Sequence, residues 1–203
     1  MKRYLIIAIV LGCVGFGNLI YHFLDTQEPP GKSIPILSPV AEEPNLESNL
    51  VCQASLNYWI KAKPIVERQI AEVGQPLASL ILEIGSDIWA GNASANNEFV
   101  KALQEAQPHL GQAFLELSEL KPPPGLAMEW HQAQLKAWGM RLDAINILVG
   151  GWDFDHQTFV GSEEDAQLGG RLWDESMLAG QDADRAQNEL LKWLAECSGI
   201  ALP

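Results

Sequence analysis

The sequence predicts an all-α protein: a single N-terminal transmembrane helix, a proline-rich linker, and an up-down-up-down four-helix bundle with a bent first helix. Three observations lead there. Tyr4 to Leu24 is an apolar run without Asp, Glu, Lys or Arg. Beyond Asn49, apolar residues recur every three or four positions, and no run alternates at period two. Finally, Cys52 and Cys197 stand near the two ends of that periodic region.

The apolar run has 21 residues and, as a helix, reaches about 31 Å, close to the thickness of a bilayer's hydrocarbon layer. Lys2 and Arg3 precede it, while Asp25 and Glu28 follow it. That bias keeps the N-terminus cytoplasmic and places the remainder outside, in the periplasm if the cell is bacterial. Competing readings fit less well. A cleaved signal peptide needs a small-x-small site, and Asn18 to Thr26 offers none. Val10-Leu11-Gly12-Cys13 resembles a lipobox, but Cys13 is followed by more apolar residues instead of a polar tether. The expectation is an uncleaved signal-anchor over residues 1–24 that binds the membrane through residues 4–24.

Residues 25–48 carry Pro29, Pro30, Pro35, Pro39 and Pro44. Proline fixes φ and removes a donor, so this linker is expected to be extended and to hold the domain off the membrane. The formal net charge of −13 repels phosphate backbones, which argues against nucleic acid as a partner.

The domain is read as residues 49–203. Its first helix has the stripe Val51, Ala54, Tyr58, Ala62, Ile65 and Val73, interrupted at Gly74-Gln75-Pro76, and apolar periodicity resumes from Leu77 to Ile88. This is either two antiparallel helices or one bent helix. The second bundle helix has Phe99, Leu103, Ala106, Leu110, Ala113, Leu117 and Leu120 on one face, with Ser94 as its expected N-cap and a kink expected at Pro108. Lys121-Pro122-Pro123-Pro124-Gly125 breaks the chain. The third helix carries Met128, His131, Leu135, Trp138, Leu142, Ile145 and Val149, and ends at Gly150-Gly151, residues free to take positive φ. Trp152 to Gly161 reads as a loop. Ser162 caps the last helix, followed by Glu163, Glu164 and Asp165 at the positive end of its dipole. Its stripe is small in the middle (Ser176, Ala179, Ala183, Ala186), which suits close approach of a neighbour.

The cysteines decide between the two readings of the first helix. Two cysteines in an exported domain point to a disulfide, which requires Cα atoms within about 7 Å. Five alternating helices would leave Cys52 and Cys197 at opposite poles, whereas four bring them to the same one.

No nucleophile elbow, P-loop, HExxH or dinucleotide-binding glycine pattern occurs, and no CxxCH for covalent haem. The expected role is therefore non-enzymatic: an interaction, accessory or assembly module with a protein partner. Seven tryptophans in so small a bundle imply that some lie partly exposed at a partner surface. The alternative is a cofactor-binding bundle. His131 with Met128 is a candidate haem-iron pair inside a bundle. Asp153, Asp155 and His156 form a candidate divalent-metal loop, although Thr158 and Glu164 match only half of an EF-hand pattern. Glu105 with His109, and Glu129 with His131, fall short of the repeated Glu-x-x-His of di-iron bundles. Asn92-Ala93-Ser94 also fits the N-glycosylation acceptor pattern.

Overall fold

A computed structural model describes residues 46–199. The apolar run 4–24 and nearly all of the linker lie outside the described residues. Within the described residues, no helix is long and apolar enough to cross a membrane.

The domain is all-α, as the periodicity requires. Helix α1 (Leu46–Gln69) passes through a π-helical turn (Ile70–Gly74) straight into α2 (Gln75–Trp89). Helices α3 (Ala93–Glu119), α4 (Leu126–Gly150) and α5 (Glu163–Ser198) follow, with two short strands, β1 (Trp152–Asp153) and β2 (Thr158–Phe159), between the last two. Residues 46–89 thus form one uninterrupted helical run, so there are four helical arms, not five. Helix α1 begins at Leu46, three residues inside the segment read as linker.

The π turn has a legible cause. The buried positions Gln69, Val73 and Leu77 are spaced by four, with half-buried Ile81 next. In an α-helix each step of four drifts by about 40° around the axis. One wider turn absorbs that drift and keeps the stripe on one face. Pro76 lacks the N–H that an α-helix would direct to the Glu72 carbonyl, and here the Gln75 N–H reaches the Ile70 carbonyl instead.

Cross-helix contacts give the order of the arms. At one pole, Cys52 on α1 is joined to Cys197 on α5, and Tyr58 on α1 meets His131 near the start of α4. At the other, the Trp152 indole donates to Asn97 Oδ1 at 2.9 Å, and Phe99 packs edge-on against Trp173. Consecutive arms therefore run antiparallel. Helix α5 lies along α4 and also meets α1, α3 packs against α4 and against both parts of the first arm, and the main helical neighbour of α2 is α3.

The α3 stripe is the spine of the core: Leu103, Leu110 and Leu117 are fully buried, together with Trp130 and Ile145 of α4 and Leu190 and Leu194 of α5. Two predicted stripes are displaced. On α1, Val51 and Ala54 are exposed, and Cys52 and Ser55 are buried instead, because the disulfide turns that side of the helix inward. On α4, His131, Trp138 and Ile145 are buried, but Met128, Leu135, Leu142 and Val149 are only half-buried. A second row (Ala127, Trp130, Gln134, Ala137, Ala144, Leu148) is buried beside them, because α4 has α3 on one side and α5 on the other.

Three end signals also differ from expectation. The α3 cap is Asn92, whose Oδ1 accepts from the Ser94 and Ala95 N–H groups, so Ser94 already lies inside the helix. Pro108 lies inside α3, and the helix continues past it. Gly151 has φ −94°, and its glycine is required by space: a Cβ there would come within 2.3 Å of the Phe159 ring. The 152–161 loop is a small antiparallel hairpin, with Trp152 opposite Phe159. The Ser162 cap is present, and Asp165 completes a capping box.

Candidate functional site

The strongest concentration of buried polar and aromatic side chains is at the disulfide pole. Helix α1 supplies Cys52, Ser55, Tyr58 and Trp59 from positions three and four apart, all buried. Helix α4 supplies Trp130, His131 and Gln134 from its first two turns, also buried. Gly125 starts α4 at φ +92°, a conformation that favours glycine, and its carbonyl accepts from the Met128 and Glu129 N–H groups.

Tyr58 Oη and His131 Nδ1 are 2.7 Å apart. Burial pushes the phenol's pKa up and the imidazole's down, so both groups are held neutral. Tyr58 Oη has no other hydrogen-bond partner among the described residues, so its hydrogen goes to Nδ1 and the imidazole proton to Nε2. The rings stack edge to face: Tyr58 on His131 at 5.9 Å, Tyr58 on Trp130 at 6.1 Å, and Trp59 on Trp130 at 5.2 Å between centroids. The Trp130 indole N–H is buried with no partner among the described residues.

His131 and Met128, the candidate haem pair, are three residues apart on α4, one buried and the other half-buried. With Nδ1 bonded to Tyr58, only Nε2 is left to meet a metal. Asp153 ends β1, and Asp155 and His156 lie in the hairpin turn that follows it. Asp153 Oδ1 accepts from the backbone N–H groups of Asp155 and His156, and Oδ2 pairs with His156 Nδ1 at 2.8 Å. These bonds hold the Asp153 carboxyl below the usual carboxylate range, with His156 the main cause. Among the described residues no three His, Cys, Asp or Glu side chains converge as a metal ion requires. His109 pairs with Glu72 of the π turn at 3.0 Å, while Glu105 and Glu129 are exposed.

Sequence reasoning missed Arg141. Its guanidinium carbon lies 6.0 Å from the Trp173 ring centre, Nη2 is 3.5 Å from Met177 Sδ, and Nε is sealed from solvent with no partner among the described residues. Burial lowers its pKa and the charge of Asp184 opposes that shift. The signal was present, since Arg141 falls in the row Gln134, Ala137, Ala144 and Leu148 that α4 buries.

The tryptophans are mostly internal. Trp59, Trp130, Trp138, Trp152 and Trp173 are buried and Trp193 is half-buried. Among the described residues, the large apolar side chains left exposed are aliphatic, including Leu50, Ile60, Leu82, Leu115 and Val160. No family model, curated protein or solved structure matches this chain.

Proposed function

We propose that the chain is a single-pass membrane protein whose bundle is held outside the cytoplasm by residues 4–24 and works by binding a protein partner, without catalysing a reaction. The observation that carries this reading is the Cys52–Cys197 disulfide. Such bonds persist in oxidising compartments, and an apolar leader flanked by positive charge delivers a domain to one. The proline-rich spacer would let the bundle reach a partner at a distance from the bilayer. Helix α2 supports the binding role: it packs mainly against α3 and leaves Leu82 exposed and Leu80, Ile81 and Ile84 half-covered.

Crosslinking in intact membranes, followed by mass spectrometry, tests the binding role. The expected result is a discrete crosslinked protein through α2 that is lost when Leu82 is replaced by Glu. Recovery of only the protein itself overturns it. Protease added outside spheroplasts tests the topology separately: the bundle should be reached while the cell is intact, and protection would place it on the wrong side.

A further inference from the structure

We propose that Tyr58 and His131 form an acid-sensitive latch, which holds the first turns of α1 against α4 and releases them when the imidazole takes a proton. The bond between these two side chains crosses from α1 to α4 at 2.7 Å and is buried. It lies next to a covalent tether of α1 to α5, the Cys52–Cys197 bond. Release is therefore local: α1 can swing away from α4 while the disulfide keeps it on the bundle.

A proton arriving at Nδ1 turns that atom from acceptor to donor. Tyr58 Oη then receives the bond, and its own hydrogen must find another acceptor inside a closed site. The new charge also needs an anion, and among the described residues no carboxylate is buried beside it. From α1 the facing titratable group is the Tyr58 phenol, which burial keeps neutral. Cys52 and Cys197 are bonded and do not titrate. On α4, Glu129 is exposed. At the same pole, Glu196 of α5 and Glu119 of α3 are exposed, and Glu116 is held by Arg68 and Gln112. No charge enters the balance that lowers the imidazole's pKa; burial alone does. Opening the site to water is how the imidazolium becomes solvated. The sign follows: the folded pKa lies below the ordinary 6.5, so stability is complete above pH 6.5 and falls as pH drops below it. What opens is aromatic, because Trp59 and Trp130 pack directly on the pair or on each other.

The test is an NMR titration of the full chain in detergent, disulfide intact, from pH 7.5 to 4.5. The His131 ring signal should titrate below 6.5, and the indole N–H signals of Trp59 and Trp130 should shift with the same midpoint. His131→Gln keeps an acceptor for Tyr58 without a titrating group and should lose the response. The double variant His109→Gln/His156→Gln should keep it. The proposal is overturned if His131 titrates while both indole signals stay still, or if the response survives in His131→Gln. Should that variant fail to fold, the wild-type co-titration decides the question alone.

Discussion

Cys52 and Cys197 are separated by 145 residues in sequence and by 6.1 Å between their Cα atoms. The even number of helical arms between them is what returns the chain to its starting pole. Closing a loop of that length stabilises by roughly 4–5 kcal/mol in the chain-entropy model. The Cys52→Ser/Cys197→Ser variant should lose stability of that order, read as a lower urea midpoint with a steeper slope, because the uncrosslinked unfolded chain exposes more surface. A midpoint equal to that of the oxidised protein would refute the pairing.

Tyr58 is one of three tyrosines, with Tyr4 and Tyr21, so its own titration is read as the difference between the wild type and Tyr58→Phe. Its pKa is raised by burial, and the unfolded chain therefore loses this proton first. The contribution is complete below pH 10, the ordinary value, and is lost as pH rises above it. Denaturant midpoints should fall between pH 9 and 11 in the wild type, and fall less in Tyr58→Phe. At neutral pH the same variant leaves Nδ1 of His131 unpaired and should cost about 1–2 kcal/mol.

Gly151 and Phe159 meet at the mouth of the hairpin. A Cβ on residue 151 would come within 2.3 Å of the Phe159 ring, so Gly151→Ala should destabilise by roughly 1–3 kcal/mol through overpacking. Gly151→Ala combined with Phe159→Ala should cost less than the sum of the two single changes, read in a double-mutant cycle. Strict additivity would mean that the two positions do not touch.

The α3 cap can be tested by two neighbouring changes. Asn92→Ala removes the side-chain acceptor for two N–H groups and should cost about 1 kcal/mol. Ser94→Ala should be close to neutral, because the hydroxyl is not the capping group. Thermal midpoints that reverse this order would restore Ser94 as the cap.

Leu103 and Leu82 differ in burial, not in chemistry. Leu103 is fully buried and Leu82 is 66% exposed. Leu103→Ala should cost about 3–5 kcal/mol, while Leu82→Ala should stay within about 0.5 kcal/mol. Comparable losses at both positions would show that α2 has a second neighbour.

Much of this architecture was legible because local rules carry it. The α3 stripe from Phe99 to Leu117 is buried at every position read from spacing, since that helix has one dominant contact face. The Ser162 cap was legible for the same reason: a capping box is a three-residue matter. Helix α4 resisted because it is covered on two sides, and a single stripe then describes half of what it buries. The candidate site was only half legible. His131 stands out on an apolar face, but Tyr58, its partner, is 73 positions away and reads as one more stripe residue.

Taken alone, the chain's spacing and punctuation determined that it is helical, where its arms break, and that two cysteines meet at one pole. Those are consequences of helix period, proline and glycine chemistry, and the short reach of a disulfide. Only the packed structure decided that Ser55 faces inward where Ala54 was read, that Arg141 lies on Trp173, and that His131 is bonded to Tyr58. Which side of a helix is covered depends on how its neighbours sit around it, and that arrangement arises when the arms come together.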